Sequence, residues 1–107
     1  MTNTLINPEQ MIDSIRVGIA GTGYIAEFHA RSLRETKGVH LVAACDSNFG
    51  RAQSFAKAWD IPVEYNSLEK MLQESQIECV HILTPPDLHL PLAKLALESG
   101  VHVFLET

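Results

Sequence analysis

The chain has 107 residues, a length typical of one domain with one hydrophobic core. Its net charge of -5 argues against nucleic acid or an anionic membrane surface as a partner, because both require clustered cations. Apolar stretches are far shorter than the roughly 20 residues of a membrane helix. Residues 1–14 lack the pattern of a secretory signal, and the two cysteines are isolated, so we expect a cytoplasmic protein with reduced thiols.

Strand-like and helix-forming segments alternate along the chain after an N-terminal arm over residues 1–14. The predicted strands are residues 15–20, 39–45, 61–65, 77–83 and 101–105, and the predicted helices are 24–37, 47–59, 68–74 and 88–99. This alternation predicts an α/β fold, a doubly wound parallel sheet of the Rossmann type, with strand order 3-2-1-4-5. A ligand should then bind where the sheet changes direction, between strands one and four.

A glycine-rich turn directly follows the first strand. Gly21-Thr22-Gly23-Tyr24-Ile25-Ala26 matches the dinucleotide fingerprint G-x-G-x-x-G/A between a strand and a helix. Gly21 would allow the tight turn, and Gly23 would let a pyrophosphate approach the backbone. The unpaired N–H groups that begin the helix can bind phosphate without a basic side chain. A purely structural strand–helix turn is the alternative for this pattern alone.

An acidic residue occupies the position that the fingerprint requires about 20 residues further on. Asp46 ends the second apolar run and precedes Ser47. A carboxylate there would accept hydrogen bonds from the adenosine ribose, and its charge would repel a 2′-phosphate. We therefore expect NAD rather than NADP as the cofactor. The alternative role for Asp46 is the N-cap of the next helix.

Several segments together resemble the cofactor domain of the Gfo/Idh/MocA oxidoreductases, from residue 15 to the end of the chain. They are the glycine turn, the acid after strand two, Thr84-Pro85-Pro86-Asp87-Leu88-His89 after strand four, and Gly100-Val101-His102-Val103-Phe104-Leu105-Glu106. The resemblance implies hydride transfer between NAD(P) and a hydroxyl carbon of a sugar, nucleotide sugar or cyclitol. It also implies contacts of Thr84, Pro85 and His89 with the nicotinamide half, and a place for Glu106 near the nicotinamide ribose.

The predicted cofactor-binding residues are Gly21, Thr22, Gly23, Tyr24, Ile25, Asp46, Ser47, Thr84, Pro85, His89 and Glu106. No catalytic residue is predicted, and no metal, because the metal-ligand spacings of His and Cys are missing from the sequence. Family members carry a Lys where this chain has Thr107, and they continue into a substrate domain and oligomerise. The resemblance therefore implies an incomplete, truncated cofactor domain over residues 15–107, inactive alone, from a homo-oligomeric parent. The alternative is a dinucleotide-sensing regulator without catalysis, which Thr107 favours.

The remaining histidines and cysteines receive packing roles. His81 in strand four is expected on the sheet face or in the core, and His29 is expected to pack rather than ligate. Cys45 and Cys79 fall in strands two and four, with strand one between them, and should be buried structural thiols.

Overall fold

The computed structural model describes residues 15–106, so the predicted arm over 1–14 and Thr107 lie outside the described residues. The strands are β1 (Ile15–Ala20), β2 (Val39–Cys45), β3 (Val63–Tyr65), β4 (Cys79–Ile82) and β5 (His102–Leu105). The α-helices are α1 (Tyr24–Glu35), α2 (Phe49–Ala58), α3 (Leu68–Glu74) and α4 (His89–Glu98), with one 3₁₀ turn, Pro86–Leu88, before α4.

The five strands form one parallel sheet in the order β3-β2-β1-β4-β5, which confirms the predicted topology. β1 is the central strand, paired with β2 on one side and β4 on the other. Its register with β2 shifts between Val17 and Gly18. Because β2, β1 and β4 are neighbours and run parallel, the turns that follow them meet at one edge of the sheet.

Each face of the sheet carries its own apolar core. Helices α1 and α2 pack on one face through small and aromatic residues, including Ala26, Ala30 and Phe55. Helices α3 and α4 pack on the other through Met71, Ala96 and their neighbours. The alanines at the helix–sheet contacts have small side chains, so the helices can lie close to the strands.

Element ends differ from the sequence prediction by one or two residues, most clearly at β4. The apolar run over 77–83 predicts a longer strand, whereas the ladder covers Cys79–Ile82. Ile77 and Leu83 are buried beyond its ends, with 6% and 9% exposure. Leu83 still donates its N–H to the carbonyl of Ala20 over 2.8 Å. An apolar residue buried just beyond the strand has the same sequence pattern as one inside it, so the sequence could not locate the strand ends.

Candidate functional site

A crevice of about 500 Å³ opens at the carboxyl ends of the strands, beside the point where the sheet changes direction. Turns after β1, β2, β3 and β4 all contribute to it. Its lining residues are Ala20, Gly21, Gly23, Cys45, Asp46, Ser47, Arg51, Asn66, Ser67, Leu68, Leu83, Thr84, Pro85, Leu88 and Leu92. Polar groups lie at the β1 and β2 turns, and leucines form the wall on the α3 and α4 side, an arrangement typical of ligand clefts.

Gly21 is required by the backbone of the turn. Its φ is +100°, a conformation that other L-residues rarely adopt. A Cβ at this position would lie 2.9 Å from the carbonyl carbon of Leu83 and from the backbone nitrogen of Thr84. Gly21 thus lets the β1 turn pack directly against the end of β4.

Gly23 is not required by the backbone. Its φ of −78° is open to any residue, and a Cβ there would meet no atom within 4 Å. Among the described residues no side chain caps α1 at this position, so the first N–H groups of the helix face open space. This space is where a phosphate would bind at the helix N-terminus, and a side chain at Gly23 would enter it.

Asp46 is buried, with 6% exposure, and its carboxylate joins the two turns. The backbone N–H and the hydroxyl of Thr22 each donate to Oδ2 over 2.8 Å. The N–H of Asn48 donates to Oδ1 over 2.8 Å, and the half-exposed Arg51 pairs with the carboxylate at 3.0 Å. The acid therefore fixes the β1 turn to the β2 turn.

The protonation of Asp46 follows from these contacts. Burial alone would raise the pKa of the carboxyl group, but the donors from Thr22, Asn48 and Arg51 outweigh it and lower the pKa. The carboxylate is thus charged at neutral pH. The alternative role as the helix N-cap is wrong, because Asn48 caps α2 by accepting from the N–H of Arg51.

Thr84 brings an unsatisfied group to the crevice. Its hydroxyl is the buried side-chain polar atom that finds no partner among residues 15–106. An unpaired buried hydroxyl costs free energy, and a bound ligand or water would recover it. The open N-terminus of α1, the charged Asp46 and this hydroxyl all fit a dinucleotide bound across the β1 turn.

The structure separates the predicted site residues into two groups. Those that line the crevice are Gly21, Gly23, Asp46, Ser47, Thr84 and Pro85, and Thr22 supports them through Asp46. Those that do not line it are Tyr24, Ile25, His89 and Glu106. Tyr24 is 79% exposed, and His89 Nε2 donates to the carbonyl of Thr84 over 2.7 Å.

Arg51 is the main site residue absent from the sequence prediction. Its guanidinium lines the crevice and reaches both oxygens of Asp46. Arg51 follows Asp46 by five residues and lies in the first turn of α2. This spacing could have indicated in the sequence that the two side chains form a pair. The leucine wall, by contrast, is formed by residues that in the sequence look like ordinary core positions.

Cys45 also lines the crevice, but it is chemically inert. Burial, with a further contribution from the charge of Asp46, raises the pKa of its thiol to about 12. Burial likewise raises the pKa of Cys79. Both cysteines are free, and Cys45 is buried as predicted, whereas the prediction that Cys79 is buried is wrong, because Cys79 is only partly buried.

Comparison with known protein families gives one clear result. The model of an oxidoreductase family with an NAD-binding Rossmann fold, Gfo/Idh/MocA, matches residues 15–107. The chain belongs to the Gfo/Idh/MocA oxidoreductase family. This confirms the predicted resemblance, and the Rossmann fold in the family description agrees with the observed strand order.

Relatives of this Gfo/Idh/MocA domain include dehydrogenases of cyclitols. An uncharacterized oxidoreductase of Synechocystis is 33% identical over 93 residues, covering 87% of this chain and 25% of that protein. The inositol 2-dehydrogenase of Salmonella typhimurium is 34% identical over 95 residues, covering 87% of this chain and 28% of the relative. The chain thus spans about a quarter of the length of the relatives it matches.

Solved structures of inositol dehydrogenases have the same fold. Scyllo-inositol dehydrogenase from Lactobacillus casei, solved with NAD(H) and scyllo-inositol, superposes with a TM-score of 0.81 at 28% identity. The match covers 87% of this chain and 28% of that one. Within residues 15–106, no helix is long and apolar enough to cross a membrane, and no group of three or more His, Cys, Asp or Glu is arranged to hold a metal.

Proposed function

We propose that this chain binds NAD in the crevice at the β1, β2 and β4 turns, as the cofactor domain of a dehydrogenase. The observation that carries the proposal is the arrangement of Gly23 and Asp46. Gly23 leaves the N-terminus of α1 open for a pyrophosphate. Asp46 holds a buried, charged carboxylate beside this turn, where it would accept hydrogen bonds from the adenosine ribose. When bound, the cofactor supplies the hydride acceptor, and this chain orients it.

The reaction that we propose for the whole protein is hydride transfer between NAD and a hydroxyl carbon of a sugar, nucleotide sugar or cyclitol. The names of the relatives support this class, since they include dehydrogenases of myo- and scyllo-inositol. Substrate contacts and a homo-oligomeric state are proposed for the parent protein. The domain over 15–107 is expected to bind cofactor and to show no turnover alone.

The cofactor preference that we propose is NAD over NADP, and the Asp46–Arg51 pair makes it testable. Arg51 is the exposed member of the pair, with 54% side-chain exposure against 3% for Asp46. Ribose hydroxyls can displace Arg51 from the carboxylate without leaving its guanidinium buried and unpaired. The charge of Asp46 remains and opposes a 2′-phosphate.

Calorimetry of the chain with NADH and with NADPH tests both points. We expect NADH to bind in the micromolar to millimolar range and NADPH to bind more weakly. Arg51→Ala should widen the difference, because the carboxylate then lacks its neutralising partner. Lys57→Ala removes the same charge from the last turn of α2, away from the crevice, and should change nothing. No heat at millimolar NADH would overturn the proposal.

A further inference from the structure

Two histidines and a glutamate form a hydrogen-bonded chain outside the crevice lining. His29 on α1 lies with its Nδ1 2.9 Å from Nδ1 of His81 on β4. The other ring nitrogen of His29, Nε2, lies 2.9 Å from Oε1 of Glu106, just after β5. The His81 ring stacks on Phe104, with centroids 4.7 Å apart. This relay (His81, His29 and Glu106) connects three elements that are far apart in sequence.

The chemistry of the acceptor sets the direction of the hydrogen bonds. A carboxylate can only accept, so Nε2 of His29 donates to Glu106. In the tautomer of His29 that carries its single proton on Nε2, Nδ1 accepts, and His81 donates to it from its own Nδ1. Each ring therefore holds the next in one tautomer, and the relay ends at the glutamate.

The relay cannot form a metal site. Glu106 and His81 bind opposite ring nitrogens of His29, so the three groups do not converge on one point. Exposure to solvent increases along the relay toward Glu106: the His29 side chain is 12% exposed, and that of Glu106 is 40% exposed. His29 is the fixed member, and the carboxylate is the member that a ligand can reach.

The position of Glu106 follows from the strand order. In the proposed binding mode the adenosine lies at the β2 turn and the pyrophosphate at the β1 turn. The nicotinamide riboside must then extend to the opposite side of β1, toward the ends of β4 and β5. Glu106 lies there, with its N–H bonded to the carbonyl of Ile82 over 3.4 Å.

We propose that His29 is a positioning residue, which orients the Glu106 carboxylate toward the nicotinamide riboside half of the cofactor and is itself held by His81. This inference rests on the proposed NAD binding. In this binding mode His29 contacts neither the adenosine nor the pyrophosphate. The loss of His29 should therefore affect only the half of the cofactor beyond the pyrophosphate.

The test compares NADH with ADP, which contains the adenosine and diphosphate but lacks the nicotinamide riboside. His29→Gln can retain a donor near the Nε2 position, whereas His29→Asn places its polar group near the Nδ1 position and cannot reach Glu106. We expect His29→Asn to reduce the NADH affinity about tenfold while ADP binding is unchanged. We expect His29→Gln to restore most of the loss.

Three further variants complete the design. Glu106→Gln should reduce the NADH affinity as His29→Asn does, and the double variant should lose no more than either one, because both act at one group. His102→Asn makes the same change at an exposed position of β5 and should have no effect. Thermal unfolding of every variant identifies any that has lost the fold.

The two proposals fail differently. If the unaltered chain binds neither NADH nor ADP, the proposed function is overturned, and this inference with it. If both ligands bind and the ratio of their affinities is unchanged in folded His29→Asn, the positioning role is overturned while the cofactor site stands. Equal weakening of NADH and ADP in that variant also overturns it, since it shows a general structural effect.

Discussion

At the scale of single residues, Asp46 combines a structural role with the cofactor-binding role that we propose for it. Its carboxylate already accepts hydrogen bonds from two turns, and ribose hydroxyls would compete for the same oxygens with the exposed Arg51. The acid is buried because it joins the two turns. Its negative charge is what would discriminate between the two cofactors. A variant must therefore separate the two roles.

Substituting Asp46 with Ala should weaken NADH binding by on the order of 1–3 kcal/mol, because the ribose loses its charged acceptor. Asp46→Asn keeps one acceptor oxygen for Thr22 and should cost less stability, yet it should no longer discriminate against NADPH. Calorimetry with both cofactors, beside urea unfolding, measures the two effects. An unchanged NADH affinity in a folded Asp46→Ala protein would leave only the structural role.

The sequence predicted the acid but not its partners. Asp46 follows an apolar run, and the turn glycines precede a helix, so local pattern was sufficient for both. The contacts of His29 with His81 and Glu106 span 52 and 77 residues and arise only when three elements pack together. No local pattern contains such a contact, which is why the sequence suggested only packing roles for these histidines.

At the scale of elements, the turn between β1 and α1 contains glycine at two positions, each for a different physical reason. Gly21 is needed for the fold and Gly23 for open space above the helix. The sequence already predicted the tight turn for Gly21 and the approach of a pyrophosphate for Gly23. In the structure, Gly21 is the one of the two that has a positive φ and a close backbone neighbour.

Alanine at each glycine should show this division. Gly21→Ala should lower the free energy of unfolding by at least about 1–2 kcal/mol, the cost of a side chain in a left-handed conformation. Gly23→Ala should change stability by less than about 1 kcal/mol but weaken both NADH and ADP. Chemical denaturation and calorimetry measure the two quantities. Stable Gly21→Ala, or undiminished ADP binding in Gly23→Ala, would contradict this account.

The contact of β4 with α1 should make stability depend on pH. Burial, and to a lesser degree the neighbouring His29, lower the pKa of His81 to about 4, while Glu106 acts in the opposite direction. The pKa of an unfolded histidine is about 6.5. The unfolded state therefore binds the proton first, and stability is lost as the pH falls from about 6.5 toward 4.

Replacement of His81 by Phe should remove this pH dependence. We expect the unaltered chain to lose on the order of 1–3 kcal/mol across that interval, and His81→Phe to lose less, because Phe keeps the stacking on Phe104 without titrating. Urea unfolding at about pH 7 and about pH 5 measures the difference. The contribution of Asp46 falls in a separate interval, below its unfolded pKa of about 3.9. Parallel pH profiles for the two proteins would contradict the assignment.

The strands and helices themselves were well predicted because hydrophobic pattern and terminal glycines specify them locally. Errors lie at the ends. The predicted helix over 47–59 begins at Phe49, since Asn48, rather than Asp46, provides the cap. The choice between two acceptors separated by one residue depends on what the first of them already binds, and Asp46 is occupied by Thr22.

At the scale of the whole molecule, the β5 side of the described structure exposes much apolar surface. Leu90 and Leu97 on α4 are 80% and 62% exposed, and Phe104 and Leu105 on the edge strand are 47% and 39% exposed. Exposed apolar side chains beside an unpaired strand edge favour association. The surface lies opposite the β2 and β3 side, where the adenosine would bind.

We expect the chain to associate as its concentration rises. Leu105→Lys should weaken this association, because a charged side chain on an edge strand opposes pairing with a second strand. Glu69→Lys adds a lysine on α3 instead and serves as the control. Sedimentation velocity over a concentration series measures the effect. A monomer at every concentration, or equal behaviour of the two variants, would contradict it.

The central place of β1 has a consequence for motion. Its amides are paired on both sides, and Ile19 at its core is fully buried. In native-state hydrogen exchange, β1 should therefore be among the last segments to exchange, and the edge strands β3 and β5 among the first. The glycine turn emerges from the slowest-opening part of the molecule, so the proposed phosphate site at the N-terminus of α1 should persist through fluctuations that release both sheet edges.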